Sequence, residues 1–235
     1  VGLWVILPVY NEESAIEHVI QEWIVPLRAT GELVAMCVVD DGSRDSTPHI
    51  LAALVRAIPE LFVVTQLNSG HGPACHAGYR LAVDRGAEWV FQIDSDGQCD
   101  PEFFPQIWKE RETSNLVFGK RVTRDDGIFR KFVSEIVKIV VLLATGSWMS
   151  DPNVPYRLMR GSLLNEQLSR VPSSHAFPNI ALSWLLSRGE SIRWLPIRFR
   201  QRETGRSTVK VLRFVEHALR LYRELTQIKK SVAEQ

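Results

Sequence analysis

Short apolar runs alternate with amphipathic stretches along the first half of the chain, and their two periods separate strands from helices. Leu3 to Leu7 predicts a buried strand, and the pattern from Glu13 to Leu27 predicts a helix. Leu33 to Val39 predicts a second strand, after which Ser46 and Pro48 suit the start of a helix through Ile58. Leu61 to Leu67, Pro73 to Arg85 and Trp89 to Ile93 predict strand, helix and strand in turn. Asp100 and Pro101 then supply an N-cap and first-turn pair for a helix through Arg111. Such alternation implies an α/β fold with a mostly parallel central sheet and helices on both faces.

Beyond Val117 to Gly119 the alternation is less regular. An amphipathic helix over Ile128 to Thr145 precedes a loop at Ser150 to Pro155, a strand at Tyr156 to Met159 and two further helices. A last strand, Ser191 to Phe199, leads through a basic loop to a long helix from about Ser207 to Lys230. No repeat, low-complexity tract or linker divides the 235 residues, and an apolar content of 45% is enough to core one domain.

Charge narrows the partners. Lys and Arg number 28 against 27 Asp and Glu, which excludes the basic excess of a general nucleic-acid binder. From Arg188 onward, twelve Lys and Arg meet five Asp and Glu, so the tail is basic and suits phosphate, a membrane surface or another chain. Three scattered cysteines, Cys37, Cys75 and Cys99, have no zinc-site spacing and fit a reduced, cytoplasmic compartment. The opening apolar run is too short for a signal peptide, and Ile136 to Trp148, interrupted by Lys138, is too short to span a bilayer.

Ligands of open parallel sheets bind beyond the carboxyl ends of the strands, and the polar clusters fall there. Pro8-Val9-Tyr10-Asn11-Glu12-Glu13 succeeds the first strand and Val39-Asp40-Asp41-Gly42-Ser43 the second. Asn68-Ser69-Gly70-His71-Gly72 succeeds the third and Asp94-Ser95-Asp96-Gly97-Gln98 the fourth. Asp94, Asp96 and Gln98 offer hard oxygen donors suited to Mg²⁺ or Mn²⁺ bridging a diphosphate, although an Asp-rich turn capping the next helix uses the same residues. Asp41 is an acceptor for a base N–H, Tyr10 a ring for the base and Glu12 an acceptor for base or ribose. One of Asp40 and Asp41 is expected to serve only a capping turn with Ser43 and Ser46. His71 reads as a packed or solvated loop residue rather than a ligand.

The ordered motifs Leu7-Pro-Val-Tyr-Asn-Glu, Val38-Val-Asp-Asp-Gly-Ser, Asn68-Ser-Gly-x-Gly-x-Ala74 and Asp94-x-Asp96-Gly-Gln98 resemble the GT-A catalytic domain of glycosyltransferase family 2. The likeness is greatest to its dolichol- or polyprenyl-phosphate mannosyl- and glucosyltransferase branch. It implies that Pro8, Tyr10, Glu12, Val39 and Asp41 bind the nucleoside, while Asp94, Ser95, Asp96 and Gln98 hold metal and diphosphate. Phe118-Gly119-Lys120-Arg121 matches the segment whose arginine contacts the donor. Asp151-x-x-x-x-Tyr156-Arg157-Leu158 matches the acceptor-side segment, with Val154 in place of its glycine. Arg202-x-x-Gly205-x-Ser207 matches the loop that closes over the diphosphate; Thr208 replaces its lysine, and Arg206 supplies the displaced charge. Arg198 and Arg200 read equally well as solvated strand-edge charges. The resemblance divides the chain near residue 120 into a nucleotide-sugar half and an acceptor half.

An inverting, metal-dependent transfer of a hexose from a GDP- or UDP-sugar to a polyprenyl phosphate is therefore expected. Its leaving diphosphate would be stabilised by the metal with Arg121, Arg202 and Arg206. Asp151 is the base if the acceptor is a hydroxyl of a polysaccharide or glycolipid, and a positioning group if it is a phosphate. A non-catalytic nucleotide-sugar module is the rival reading; a dehydrogenase is disfavoured because the first turn lacks the glycine fingerprint. Two helical stripes carry the membrane question: Phe129, Phe132, Val133, Ile136, Val137, Val140 and Leu143, and Val211, Leu212, Val215, Leu219 and Tyr222. With Arg130, Lys131, Lys138, Lys210, Arg213, Arg220 and Arg223 beside them, they suit the inner face of a membrane, packing on the sheet, or a homo-oligomer contact.

Overall fold

A computed structural model describes residues 2–123, 128–200 and 211–234. Among them, seven strands form one sheet in the order β3-β2-β1-β4-β6-β5-β7. The strands are β1 (Leu3–Val9), β2 (Val34–Asp40), β3 (Leu61–Thr65), β4 (Trp89–Ile93), β5 (Leu116–Thr123), β6 (Tyr156–Arg160) and β7 (Arg193–Arg198). The helices are α1 (Ile16–Arg28), α2 (Thr47–Ala57), α3 (His71–Asp84), α4 (Phe104–Glu110), α5 (Ile128–Thr145), α6 (Gly161–Leu168), α7 (Pro178–Ser187) and α8 (Val211–Ala233).

Strand β1 is buried along its whole length, as its unbroken apolar run requires of a strand covered on both faces. It pairs in parallel with β2 on one side and β4 on the other, so the strand order reverses there and opens a crevice at its carboxyl end. The expected parallel character holds except at β6, which runs antiparallel between β4 and β5. Helix α1 turns Ile16, Ile20 and Trp23 onto the sheet. Trp23 meets the rings of Phe91, Phe104 and Tyr156, with centroids 5.6, 6.0 and 5.7 Å away. Truncating such a side chain to Ala costs about 3–5 kcal/mol.

The helix starts are set by contacts distant in sequence. Ser46 makes no side-chain cap on α2; Asp45 does so instead, its Oδ1 accepting from Thr47 N at 3.0 Å. Asp100 caps as expected, accepting from Glu102 N, but a 3-10 turn, Pro101–Phe103, intervenes before α4. Helix α3 begins at His71, two residues before the expected Pro73, because Gly70 turns the chain at a φ of 98° that only glycine adopts readily. Gly72 then lets the helix touch the 175–176 backbone: a Cβ there would lie 2.4 Å from the Ala176 carbonyl oxygen.

Candidate active site

A cavity of about 280 Å³ opens at the carboxyl ends of β1 and β2, lined among others by Pro8, Tyr10, Glu12, Asp41, Ser95 and His71. Five of these belong to the expected donor set. Val39, also expected there, is buried in β2 beneath the cavity, with Gly78 against it. The rim is pinned by backbone and side-chain exchange between the first two loops. Asn11, at a left-handed φ of 53°, receives Arg44 N on Oδ1 and donates its own N–H to Ser43 Oγ. Asp40 accepts from Ser43 N at 3.0 Å, the capping role expected of one of the two aspartates.

Asp41 ties the second and third strand-end loops together. Its Oδ1 accepts from Gln66 Nε2 and Ser69 N at 2.7 and 2.9 Å, and its Oδ2 accepts from Gly70 N at 2.7 Å. Those bonds shape the start of α3 and leave Oδ2 a second lone pair at the cavity.

The β4 loop carries the acidic end of the site. Asp96 Oδ1 accepts from Gln98 N at 3.1 Å, closing the turn that brings Asp94 and Asp96 round. Gln98 donates its side-chain amide to Arg200 O at 3.2 Å, which fixes the orientation of that side chain. His71, expected to be a packed or solvated loop residue, is more than half exposed at the edge of the cavity, with Nε2 3.7 Å from Asp94 Oδ1. The Cys75 sulfur at 3.4 Å, with the carboxylates of Asp94 and Asp96, raises its imidazole above the ordinary value. Burial raises the Asp94 carboxyl, against the lowering by His71. A dication relieves that tension between burial and negative charge. Among the described residues no group of three or more His, Cys, Asp or Glu is placed to hold a metal ion.

Beside this loop lies a second cavity of about 220 Å³, lined by Lys120, Arg121, Ser134, Lys138, Ser150 and Asp151 among others. Arg121 grips Asp151 with two parallel bonds, Nε to Oδ2 at 2.7 Å and Nη2 to Oδ1 at 2.6 Å. Burial works against the Arg121 charge, but Asp151 and Asp94 outweigh it and hold the guanidinium above its usual pKa. Each Asp151 oxygen thus accepts one guanidinium bond, which fixes the plane of the carboxylate against Arg121.

Arg157, one residue of the matched acceptor segment, has no exposure at all. It donates to Val154 O, Pro152 O, Asn179 O and Ser183 Oγ, and among the described residues no carboxylate pairs with it. It therefore fixes the loop behind Asp151. Arg200 is tied to Glu22 and Asp100 at 2.6 and 2.8 Å rather than solvated, while Arg198 is exposed at the end of β7. Arg202 and Arg206 lie outside the described residues.

The sheet order, the crevice beside β1 and the acidic loop after β4 define a GT-A type nucleotide-binding fold. The family described as glycosyl transferase family 2 matches residues 4–177, and the chain belongs to that family. Among curated relatives it is similar to undecaprenyl-phosphate 4-deoxy-4-formamido-L-arabinose transferases. It is 27% identical over 213 residues to that of Pseudomonas fluorescens strain Pf0-1, covering 90% of this chain and 61% of the relative. For the Pectobacterium atrosepticum protein the figures are 27% over 215 residues, 90% and 63%. The chain thus spans about six tenths of the length of these relatives. Its fold is shared with mannosyl-3-phosphoglycerate synthase from Rubrobacter xylanophilus, at TM-score 0.70 and 14% identity over 100% of this chain and 76% of the other. Glucosyl-3-phosphoglycerate synthase from Mycobacterium tuberculosis, solved with Mn²⁺, UDP-glucose and phosphoglyceric acid, aligns at TM-score 0.63 and 19% identity, over 97% and 78% of the two chains.

Proposed function

We propose that this protein is an inverting, metal-dependent glycosyltransferase that moves a hexose-type sugar from a nucleotide-sugar donor to a polyprenyl phosphate. The observation that carries the reading is the Arg121–Asp151 pair, set between the acidic loop and a cavity edged by Lys120 and Lys138. A hydroxyl acceptor needs a base, and Asp151 is already bound on both oxygens. A phosphate acceptor is ionised near neutral pH and needs positive charge instead. The name of the curated relatives, which transfer to undecaprenyl phosphate, supports the same acceptor class.

In this reading Pro8, Tyr10, Glu12 and Asp41 bind the nucleoside, with Ser95 beside the diphosphate. Asp94 and Asp96, with the Gln98 oxygen, would hold Mg²⁺ or Mn²⁺. The Mn²⁺ in the glucosyl-3-phosphoglycerate synthase complex supports that ion type. Bound there, the metal would neutralise charge on the departing diphosphate. Arg121 orients the acceptor phosphate for attack on the face opposite the leaving group, and Arg202 and Arg206 add charge on the diphosphate side.

Among the described residues no helix is long and apolar enough to cross a membrane. A peripheral contact is the proposal that fits a lipid acceptor. Helices α5 and α8 pack together and leave Ile139, Leu143, Val215, Leu219 and Tyr222 exposed, while α8 turns Leu221, Leu225 and Ile228 inward. Of these, Val215, Leu219 and Tyr222 belong to the α8 stripe that the sequence offers to an interface, whereas the α5 stripe packs on the core at Val137 and Val140 and exposes Leu143.

Incubation of the protein and Mn²⁺ with labelled UDP- and GDP-sugars and undecaprenyl phosphate tests the reading. The expected product is an organic-soluble, acid-labile sugar phosphodiester. Transfer to a soluble hydroxyl acceptor with none to the polyprenyl phosphate would overturn it and return Asp151 to the role of base.

A further inference from the structure

Strand β4 is apolar and fully buried except for one polar side chain, Gln92, which has no exposure. A buried amide must find partners for both ends, and each partner of Gln92 belongs to a different element. Its Nε2 donates to Asp94 Oδ1 at 3.0 Å. Its Oε1 accepts from Asn179 Nδ2, at the start of α7, at 3.2 Å, with the Tyr79 hydroxyl of α3 at 3.4 Å. Tyr79 closes the chain by donating to Asn179 Oδ1 at 2.7 Å. Asn179 is 3% exposed and Tyr79 is fully buried. An ionised Asp94 accepts only, which dictates the end that Gln92 turns toward it and, through it, the other orientations. The result is a one-way relay, buried from Tyr79 through Asn179 to Gln92, that ends on the partly exposed Asp94.

We propose that Gln92, held by Asn179 and Tyr79, is a positioning residue that locks the Asp94 carboxylate in the rotamer needed to hold a divalent cation. The proposal rests on the metal reading of Asp94 and Asp96. Without the relay, Asp94 keeps its side chain at the edge of the cavity but loses the buried donor that fixes Oδ1, and the carboxylate swings between His71 and solvent. Arg157 supports the relay from behind, since its Nη1 donates to the Asn179 carbonyl at 2.8 Å and fixes the start of α7. Outer partners of this kind typically control metal affinity by about 10–100-fold.

The test is Mn²⁺ binding to the intact protein, read from the free-ion paramagnetic resonance signal, with melting temperature measured alongside. Gln92→Met, similar in volume and lacking the donor, weakens Mn²⁺ binding by about 10–100-fold. Gln92→Asn keeps the amide but withdraws it from reach, weakens binding comparably, and guards against misfolding of the first variant. Asn179→Ala weakens it less and Tyr79→Phe least, in order of distance along the relay. Ser187→Ala removes a bond to the Trp184 carbonyl on the same helix without touching the relay and leaves the affinity unchanged, whatever its melting temperature. Mn²⁺ affinity that tracks melting temperature across the five variants, or wild-type affinity in both Gln92 variants, overturns the relay alone. A wild-type protein that binds no Mn²⁺ overturns the metal reading and the relay with it.

Discussion

The Arg121–Asp151 pair lends itself to a double-mutant cycle. The side chains are only 17% and 10% exposed, so each ion depends on the other for what water no longer supplies. Asp151→Leu strands a nearly buried guanidinium, which costs about 3–5 kcal/mol. At about 2–4 °C per kcal/mol for a chain of this size, the melting temperature falls by about 6–20 °C. Arg121→Met strands the carboxylate and costs a similar amount. The double variant Arg121→Met/Asp151→Leu replaces both ions with apolar groups of similar bulk, and recovers most of the loss because no charge is left unpaired. Activity diverges from stability: the double variant melts near wild type yet transfers no sugar, since the guanidinium that meets the phosphate is gone. Calorimetric melts and turnover on undecaprenyl phosphate read the two quantities on the same four proteins. A double variant as unstable as the summed singles would refute the coupling. One that is stable and active would refute the role of Arg121 in transfer.

Asp96→Ala is expected to abolish turnover while costing only about 1 kcal/mol of stability, the loss of the bond that its Oδ1 accepts from Gln98 N; full activity of the variant, or of wild type in excess chelator, speaks against it. Burial holds the His76 imidazole below its ordinary value, helped by Arg80 and His175, and burial does the same for His175, with Arg220 aiding and Glu224 opposing. Depressed folded values mean that the unfolded chain takes up protons first, so stability is full above about pH 6.5 and declines as pH falls toward 5. Melts across that range check this, and His175→Gln should flatten the slope. Burial pushes the Cys37 thiol up to about 12, so iodoacetamide at pH 8 should label it only in denaturant. The same raised value makes its contribution to stability disappear as pH climbs from about 9 toward 12, which alkaline melts of wild type and Cys37→Ala compare.

The sheet was legible because strands buried on both faces are continuous apolar runs, and Trp89–Ile93 and Ile128–Thr145 have the bounds that their patterns imply. Helix starts were less so, since Asp45 rather than Ser46 caps α2, and α3 begins where Asp41 receives the Ser69 and Gly70 amides from 28 and 29 residues away. Local patterns carry no information on such partners. The antiparallel β6 was hidden for the same reason, as a strand's own residues do not state its direction. The strand-end loops could be read directly, and the cavity collects Pro8, Tyr10, Glu12, Asp41 and Ser95 as their spacing suggested. Sequence reasoning placed His71 in a strand-end cluster and Arg157 in the acceptor-side segment but missed Gln92 and Asn179, which stand behind the acidic loop. One signal was present for Gln92, a lone amide within an otherwise apolar strand, and one for Arg157, a charge between Tyr156 and Leu158 in a strand whose neighbours are buried. The pairing of Asp151 with Arg121 joins residues 30 apart, and no motif announces it.

A nucleotide bound through a divalent cation at the ends of β1, β2 and β4 is the central claim. Calorimetric titration of UDP and GDP into the protein, with Mn²⁺ and with chelator, isolates that point. The prediction is that one nucleotide binds in Mn²⁺, that its heat disappears in chelator, and that Asp96→Ala behaves in Mn²⁺ as wild type does in chelator. Equal binding of the nucleotide in Mn²⁺ and in chelator, or unaltered binding by Asp96→Ala, would contradict it.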